Sequence, residues 1–407
     1  MISRVFPVVF LVILLSCSGE GGGGLSVDGS VTAEVAGDLP SGSDVTAPED
    51  SQAPPVPVTQ QQEWVASGAL SLYAESYVPS ECIKDNPCPA VILVPDQLTP
   101  GIEQFSCCAG KLAEKLHSVV IIYNPPGRGV GGQVSGGEED FGGIVAQDAL
   151  KDIANHYRKK GLVDADDFGI VSVGDGLADA AGAIARFHGT ALEFVDWLID
   201  IEGPTNRCYI TQSPFYVPPD KQNYVNEDGP GVSTTRCDFD LNMRKVKFPA
   251  GTSSDGEGTD GTPNSYICNK NAPVLLASGK ECGDDNWWKE REAKTYLPDL
   301  LAHYLRIQFL HDHRQPTRFN AREALHWVTQ SDAPSYQINN VSPDNNLKGY
   351  SEADLEKIGA YLKPKAGNGF GTDVFDDNDD FSPLSPQELY LSVLPSHINK
   401  MRERAKK

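Results

Sequence analysis

The stretch VSVGDGLADA, residues 171–180, decides how this 407-residue chain is interpreted. An apolar run leads into it and small residues at helical spacing follow it, which predicts a strand, a sharp turn and a helix. A nucleophile elbow is such a turn, with a reactive side chain at its apex and small residues two positions to either side. Ser172 and Gly176 are those small residues if Gly174 is the apex, and the apex then has no side chain.

The apex can be placed elsewhere only at a steric cost. Asp175 would supply a carboxylate nucleophile, but Val173 and Leu177 would then occupy positions that need small residues. Gly174 fits because the apex adopts a positive φ angle, which glycine reaches without strain. We therefore predict a degenerate elbow at Gly174; a glycine-rich turn unrelated to an elbow is the alternative.

Short apolar runs alternate with helical patterns on both sides of this turn. Alternation of this kind predicts an α/β fold, a mostly parallel sheet with helices on both faces. The predicted elements are leading strands at 66–79, strands near 89–95, 118–125, 166–174, 195–204, 303–312 and 335–340, and helices at 104–117, 142–162 and 177–189.

This order of elements resembles the α/β-hydrolase fold over about residues 65–345. The resemblance rests on AVILVPDQLTPG before a helix, NPPGRG after the next strand, and the frame SVGDG at the elbow. It implies a catalytic acid after a late strand and a histidine after the last strand. It also implies that a long insertion, here about 204–295, forms a cap over the carboxyl edge of the sheet, and about 346–407 is then a C-terminal extension.

The resemblance assigns the remaining catalytic roles incompletely. Asp312 follows the strand YLRIQFL and best matches the acid, with Asp200 and Glu202 as alternative acids or binding residues. No histidine follows the last predicted strand, and His397 keeps the chain order but comes more than fifty residues late.

The loop after the first core strand holds the predicted oxyanion side of the site. A backbone amide near Asp96 or Gln97 is the expected donor. A carboxylate at this place opposes a developing oxyanion unless it points away.

The N-terminus predicts an exported, lipid-anchored protein. Residues 1–16 have the layout of a signal peptide, with Arg4 before an apolar run too short to span a bilayer comfortably. The tail LLSC resembles a bacterial lipobox, which implies acylation of Cys17; a plain signal peptide is the alternative. Residues 17–62 are rich in Gly, Ser, Pro and acids, which predicts a flexible linker before a body at 63–407. The membrane is thus a predicted partner, bound through the lipid on Cys17. The predicted location is the cell envelope, at the outer membrane.

Eight further cysteines favour disulfides over a metal site, because their number is even and the chain is predicted to be exported. Cys82 and Cys88 are expected to pair across CIKDNPC. Cys107 and Cys108 either form a vicinal bridge or each reach elsewhere. Four later cysteines are expected to pair among themselves: Cys208, Cys237, Cys268 and Cys282.

The formal charge of −22 argues against nucleic acid and anionic surfaces as partners. We predict no cofactor and no metal; calcium binding by the acidic loop at 373–380 is the alternative. The sequence favours a catalytically degenerate, hydrolase-like envelope lipoprotein that binds a small molecule or peptide. The alternative is an exported ester or peptide hydrolase with Asp175 as nucleophile and Asp312 as acid.

Overall fold

The structure is a computed structural model that describes residues 55–96, 99–205, 238–240, 245–247, 285–308, 317–338 and 386–407. Several predicted features lie outside these residues. They are the signal peptide, Cys17, the linker as far as residue 54, Gln97, Asp312, the acidic loop at 373–380, and Cys208, Cys237, Cys268 and Cys282.

Ten strands occur in the described residues. Seven match predicted apolar runs, whereas the first lies mostly before residue 66 and the two three-residue strands at 238–240 and 245–247 were not predicted. Their bounds are β1 (Val58–Ser67), β2 (Leu70–Pro79), β3 (Cys88–Val94), β4 (Val119–Tyr123), β5 (Val163–Val173), β6 (Trp197–Ile201), β7 (Asp238–Asp240), β8 (Lys245–Lys247), β9 (His303–Ile307) and β10 (Tyr336–Ile338). The first strand begins at Val58, inside the segment that the sequence predicts as linker.

Eight of these strands form one sheet in the order β1-β2-β4-β3-β5-β6-β9-β10, and β7 and β8 pair separately. Strand β2 is antiparallel to both β1 and β4. All other pairings in the large sheet are parallel. The central strands are buried on both faces, as parallel strands covered by helices are. The predicted fold class, α/β with a mostly parallel sheet of the α/β-hydrolase kind, is therefore confirmed.

The helices differ from the sequence prediction mainly at 104–117, where two helices replace one. Their bounds are α1 (Gly101–Phe105), α2 (Ala109–Leu116), α3 (Ile144–Arg158), α4 (Gly176–Phe187), α5 (Asp285–Lys289), α6 (Thr317–Val328), α7 (Pro386–Glu388) and α8 (Leu394–Ala405), with a π-helix at Leu389–Val393. The break between α1 and α2 contains Cys107 and Cys108.

Helices cover both faces of the sheet. One core cluster joins α3, α4 and α6 to one set of alternating strand residues, including Ile92. A second cluster joins α1, α2 and α8 to the other set, including Val91 and Leu93. Since strand side chains alternate between faces, neighbouring residues of β3 serve opposite layers.

The predicted disulfide between Cys82 and Cys88 is present and closes the loop that leads into β3. No helix within the described residues is both long and apolar enough to cross a membrane. The insertion between β6 and β9 contains the β7–β8 pair and α5, and most of it lies outside the described residues.

Candidate functional site

The turn between β5 and α4 lies at the carboxyl edge of the parallel strands, where ligands of open α/β sheets bind. Gly174 has φ of +52°, and its N–H donates to the carbonyl of Ile201 at 2.9 Å. A side chain at Gly176 would place its Cβ 2.5 Å from the carbonyl oxygen of Pro95. The turn therefore requires a glycine at 176 and favours one at 174.

The carboxylate of Asp96 fills the space in front of the apex. A Cβ atom built on Gly174 would lie 2.3 Å from Asp96 Oδ1. The same oxygen accepts a hydrogen bond from the backbone N–H of Asp175 at 2.9 Å. The backbone amide that follows Gly174 is therefore already bonded to a carboxylate.

Two side chains hold the backbone of Asp96 in this position. Its N–H donates to Gln104 Oε1 at 2.9 Å, and its carbonyl accepts from Arg128 Nη1 at 2.9 Å. Arg128 is buried and also makes a two-pronged contact to the carboxylate of Glu139. An arginine fork bound to a carboxylate fixes geometry as well as charge, so the loops after β3 and β4 are locked together.

Behind the turn at Gly174, Asp179 lies in the first turn of α4 and is 1% exposed. Burial raises the pKa of its carboxyl to about 7, against the opposing charge of Arg128 and with Glu139 and other carboxylates adding to the rise. Asp179 Oδ1 and the hydroxyl of Tyr123 are both buried without a hydrogen-bond partner among the described residues. The site thus contains a carboxyl group that is partly protonated at neutral pH.

Asp200 forms a buried ion pair beneath the carboxyl edge of the sheet. Its carboxylate accepts from Arg306 Nη1 at 2.5 Å, from the Tyr304 hydroxyl at 2.6 Å and from the Gly203 N–H at 2.7 Å. Burial raises the pKa of Asp200, while the arginine and the other donors favour its charged form. Because both partners of the pair are fully buried and arginine stays protonated, this arrangement is structural in character.

Glu202 follows in a strained conformation, with φ of +56°. Its N–H donates to the carbonyl of Ile307 at 3.0 Å, and its Oε1 accepts from Gln308 Nε2 at 3.3 Å. The side chain is 7% exposed, so the second acid of this turn is also held among protein groups.

His397 lies on α8, which packs against α2, β6 and β9. These contacts place the helix in the layer opposite α4. The side chain is 2% exposed, and burial, with Lys400 adding to the effect, lowers its pKa to about 4. His397 is therefore a neutral core histidine at physiological pH.

The structure brings Asp96, Gly174 and Asp175 together at the turn, as their positions at strand ends predict. It adds two residues that the sequence analysis missed, Arg306 and Asp179. A charged residue inside an apolar strand, as in YLRIQF, is the signal that points to Arg306. The described residues contain no group of three or more His, Cys, Asp or Glu arranged to hold a metal ion.

Comparisons with known proteins give remote structural likenesses. No protein-family model and no curated protein matches the sequence. An acylaminoacyl peptidase of Pyrococcus horikoshii is 12% identical with a TM-score of 0.40, covering 69% of this chain and 36% of its own. An α/β-hydrolase of a Penicillium species is 14% identical with a TM-score of 0.41, and the match covers 70% of this chain and 89% of the hydrolase. An esterase of Pyrobaculum calidifontis is 15% identical with a TM-score of 0.39, and the match covers 76% of this chain and 84% of the esterase.

This chain spans about a third of the length of the acylaminoacyl peptidase that it matches. Likenesses at these identities and TM-scores carry no argument about activity. The topology of the eight-stranded sheet, with an antiparallel second strand and helices on both faces, defines the chain as an α/β protein with a mostly parallel sheet.

Proposed function

We propose that this protein is a cell-envelope lipoprotein whose α/β-hydrolase-like domain does not hydrolyse esters or peptides but binds a ligand at the carboxyl edge of its sheet. The observation that carries the proposal is the position of Asp96. Its carboxylate takes the space of a nucleophile side chain at Gly174 and also the amide of Asp175.

Acyl transfer needs a nucleophile, a base within hydrogen-bond reach of it, and donors for the oxyanion. Gly174 supplies no nucleophile, and the Asp175 amide is bonded to a negative group that would repel an oxyanion. The same carboxylate favours a ligand that carries a positive charge, since Asp96 is only partly buried. A protonated amine of a small molecule or of a peptide N-terminus has this chemistry.

Catalysis is tested with protein that begins at Pro55, which keeps β1 intact. We expect no turnover of activated esters or aminoacyl amides above the buffer rate. Turnover that is lost in both Asp175→Asn and Asp312→Asn would overturn the proposal and establish the alternative hydrolase with an aspartate nucleophile.

Binding is tested by calorimetric titration of short peptides in two matched forms, with a free N-terminal amine and N-acetylated. We expect the free amines to bind, and we expect Asp96→Asn to weaken them at least tenfold. Asp85→Asn, which alters an exposed carboxyl in another loop, is the control. Equal binding of both peptide forms, or of wild type and Asp96→Asn, would contradict a cation-binding site.

The lipid anchor is tested by metabolic labelling of full-length protein with palmitate in a bacterial host. Cys17 is the proposed acceptor, so Cys17→Ser should abolish labelling and move the protein from the detergent phase to the aqueous phase. Labelling that persists in Cys17→Ser would rule out this anchor.

A further inference from the structure

An exposed tryptophan lies among glutamine side chains on β1, the strand at one end of the large sheet. Strand side chains alternate between faces, so every second residue of β1 and β2 lies on the side of the second core cluster. The pairs that lie opposite each other there are Gln60 with Tyr77, Gln62 with Glu75, and Trp64 with Tyr73. Trp64 is 49% exposed and the two glutamines are also exposed, whereas Glu75 is buried.

The carboxylate of Glu75 holds both glutamine amides in fixed orientations. Its Oε2 accepts from Gln60 Nε2 at 2.7 Å and from the Tyr77 hydroxyl at 3.0 Å. Its Oε1 accepts from Gln62 Nε2 at 3.1 Å and from the Tyr73 hydroxyl at 3.2 Å. Burial, with the charge of Glu75 adding to the effect, raises the pKa of Tyr77, so this hydroxyl stays protonated and donates. Four donors thus satisfy a carboxylate that would otherwise be costly to bury.

The amide carbonyl oxygens of these glutamines are directed away from Glu75. A carboxylate only accepts hydrogen bonds, so each glutamine turns its NH₂ group toward it and keeps Oε1 as an acceptor for another group. Gln133, in the loop after β4, follows the same pattern, because its Nε2 donates to the Tyr73 hydroxyl at 3.0 Å. Within the described part of the chain, no side-chain or backbone donor is bonded to Oε1 of these three glutamines.

The indole of Trp64 is fixed next to these acceptors. Its ring meets the ring of Tyr73 edge to face, with centroids 5.3 Å apart and planes at 72°. Residues two apart in a strand are about 7 Å apart, so the indole and the amide of Gln62 can contact one small ligand together. The face of an aromatic ring carries partial negative charge and attracts polarised C–H groups.

We propose that Gln60, Gln62, Trp64 and Gln133, here called the amide–indole surface, bind a neutral saccharide. A pyranose ring offers C–H groups that can stack on the indole, and hydroxyl groups at its rim that can donate to the fixed amide oxygens. Side chains that are already fixed lose little conformational entropy when a ligand binds. This proposal does not depend on ligand binding at Asp96.

Charge favours a neutral sugar over an acidic one. The amide–indole surface contains no cationic side chain, and the NH₂ groups of its glutamines are already used. The formal charge of −22 also repels polyanions. The carboxylate beneath the surface is buried and bonded to four donors, so it offers no site for a cation.

The experiment titrates neutral oligosaccharides into the full-length protein by isothermal titration calorimetry, in a detergent without a sugar headgroup. The probes are maltotetraose, cellotetraose and chitotetraose, which differ in linkage and substituents. We expect at least one to bind, and we expect Trp64→Ala to weaken it about tenfold through the lost stacking. Gln62→Ala should also weaken it by removing an acceptor. Ile83→Ala, at an exposed apolar position in another loop, should bind as the wild type does.

The variant Glu75→Gln tests whether the fixed orientation of the amides matters. Its amide presents an NH₂ group in place of one carboxylate oxygen, so a neighbouring glutamine must turn over and expose a donor. We expect weaker binding with an unchanged circular dichroism spectrum. If Glu75→Gln does not fold, Trp64→Ala and Gln62→Ala decide, because both positions are exposed.

Two results would overturn the proposal. One is the absence of binding by all three oligosaccharides, or equal affinity of the wild type and Trp64→Ala. The other is binding of N-acetylated tetraglycine amide, lost in Trp64→Ala, by a protein that binds none of the oligosaccharides. That result would assign the amide–indole surface to extended peptides.

Discussion

At the scale of single residues, the site is defined by a glycine and a carboxylate that exclude a side chain. Gly174 has a positive φ angle, and a Cβ atom at this position would lie 2.3 Å from a carboxylate oxygen of Asp96. A serine there would have to push Asp96 away from the Asp175 amide. A single substitution to serine at position 174 is therefore not expected to produce a functional nucleophile.

The substitution Gly174→Ser should destabilise the fold by about 2 kcal/mol, from backbone strain and from the clash with Asp96. Urea unfolding measures this loss. Gly131→Ser is a matched control, because Gly131 has φ of +55° and open space around its Cβ position. Gly131→Ser should lose only the part of the stability that backbone strain removes. Adding Asp96→Ala to Gly174→Ser should recover part of the stability; a strictly additive loss would contradict the clash.

Asp179 should make stability fall as the pH rises from about 4 to about 7. Its folded-state pKa of about 7 lies above the ordinary value of 3.8, so the folded state binds the proton more tightly than the unfolded state. This contribution is full below the unfolded pKa and is lost as the pH rises through the folded pKa, a difference of roughly 4 kcal/mol.

The pH dependence of urea unfolding checks this prediction. Asp179→Asn should remove most of the slope between pH 4 and 7, whereas Asp85→Asn, at an exposed position, should leave it in place. An unchanged slope in Asp179→Asn would show that another group carries the pH dependence.

At the scale of elements, the ion pair between Arg306 and Asp200 joins β9 to β6 where both strands reach the site. Removing one partner leaves a buried charge without compensation, which costs about 3–5 kcal/mol. Arg306→Met should therefore lose this much stability in urea unfolding. Lys151→Met, which breaks the partly exposed pair with Asp152, should lose at most about 1 kcal/mol. Similar losses in both variants would show that the Arg306 pair has little structural importance.

The Cys82–Cys88 disulfide closes a short loop at the start of β3. A loop of this length contributes about 2 kcal/mol by restricting the unfolded chain. The double substitution Cys82→Ala and Cys88→Ala should lower stability by this amount and leave the sheet intact, as differential scanning calorimetry and far-ultraviolet circular dichroism would show. A protein that no longer folds would mean that the loop is needed to start the strand.

At the scale of the whole molecule, the C-terminal helix completes one layer of the sheet. Leu394, Ile398 and Met401 of α8 are fully buried in the second core cluster, and Arg402 pairs with Asp167. Deleting residues 386–407 should expose this apolar face and cause aggregation. Size-exclusion chromatography and limited proteolysis check it; a monomeric, protease-resistant product would contradict the prediction.

The amino-acid sequence by itself determined the fold class, because apolar runs on doubly buried strands and helical spacing between them leave few alternatives to a parallel sheet. It also placed Gly174 at a turn and paired Cys82 with Cys88, since both follow from local spacing. Only the tertiary structure decided what the turn contains. Asp96 is 78 residues before Gly174 in the chain, and no local pattern indicates that its carboxylate lies against this turn. The ion pair between Asp200 and Arg306 likewise joins strands that become neighbours only when the sheet forms. The raised pKa of Asp179 comes from burial, which exists only in the packed molecule.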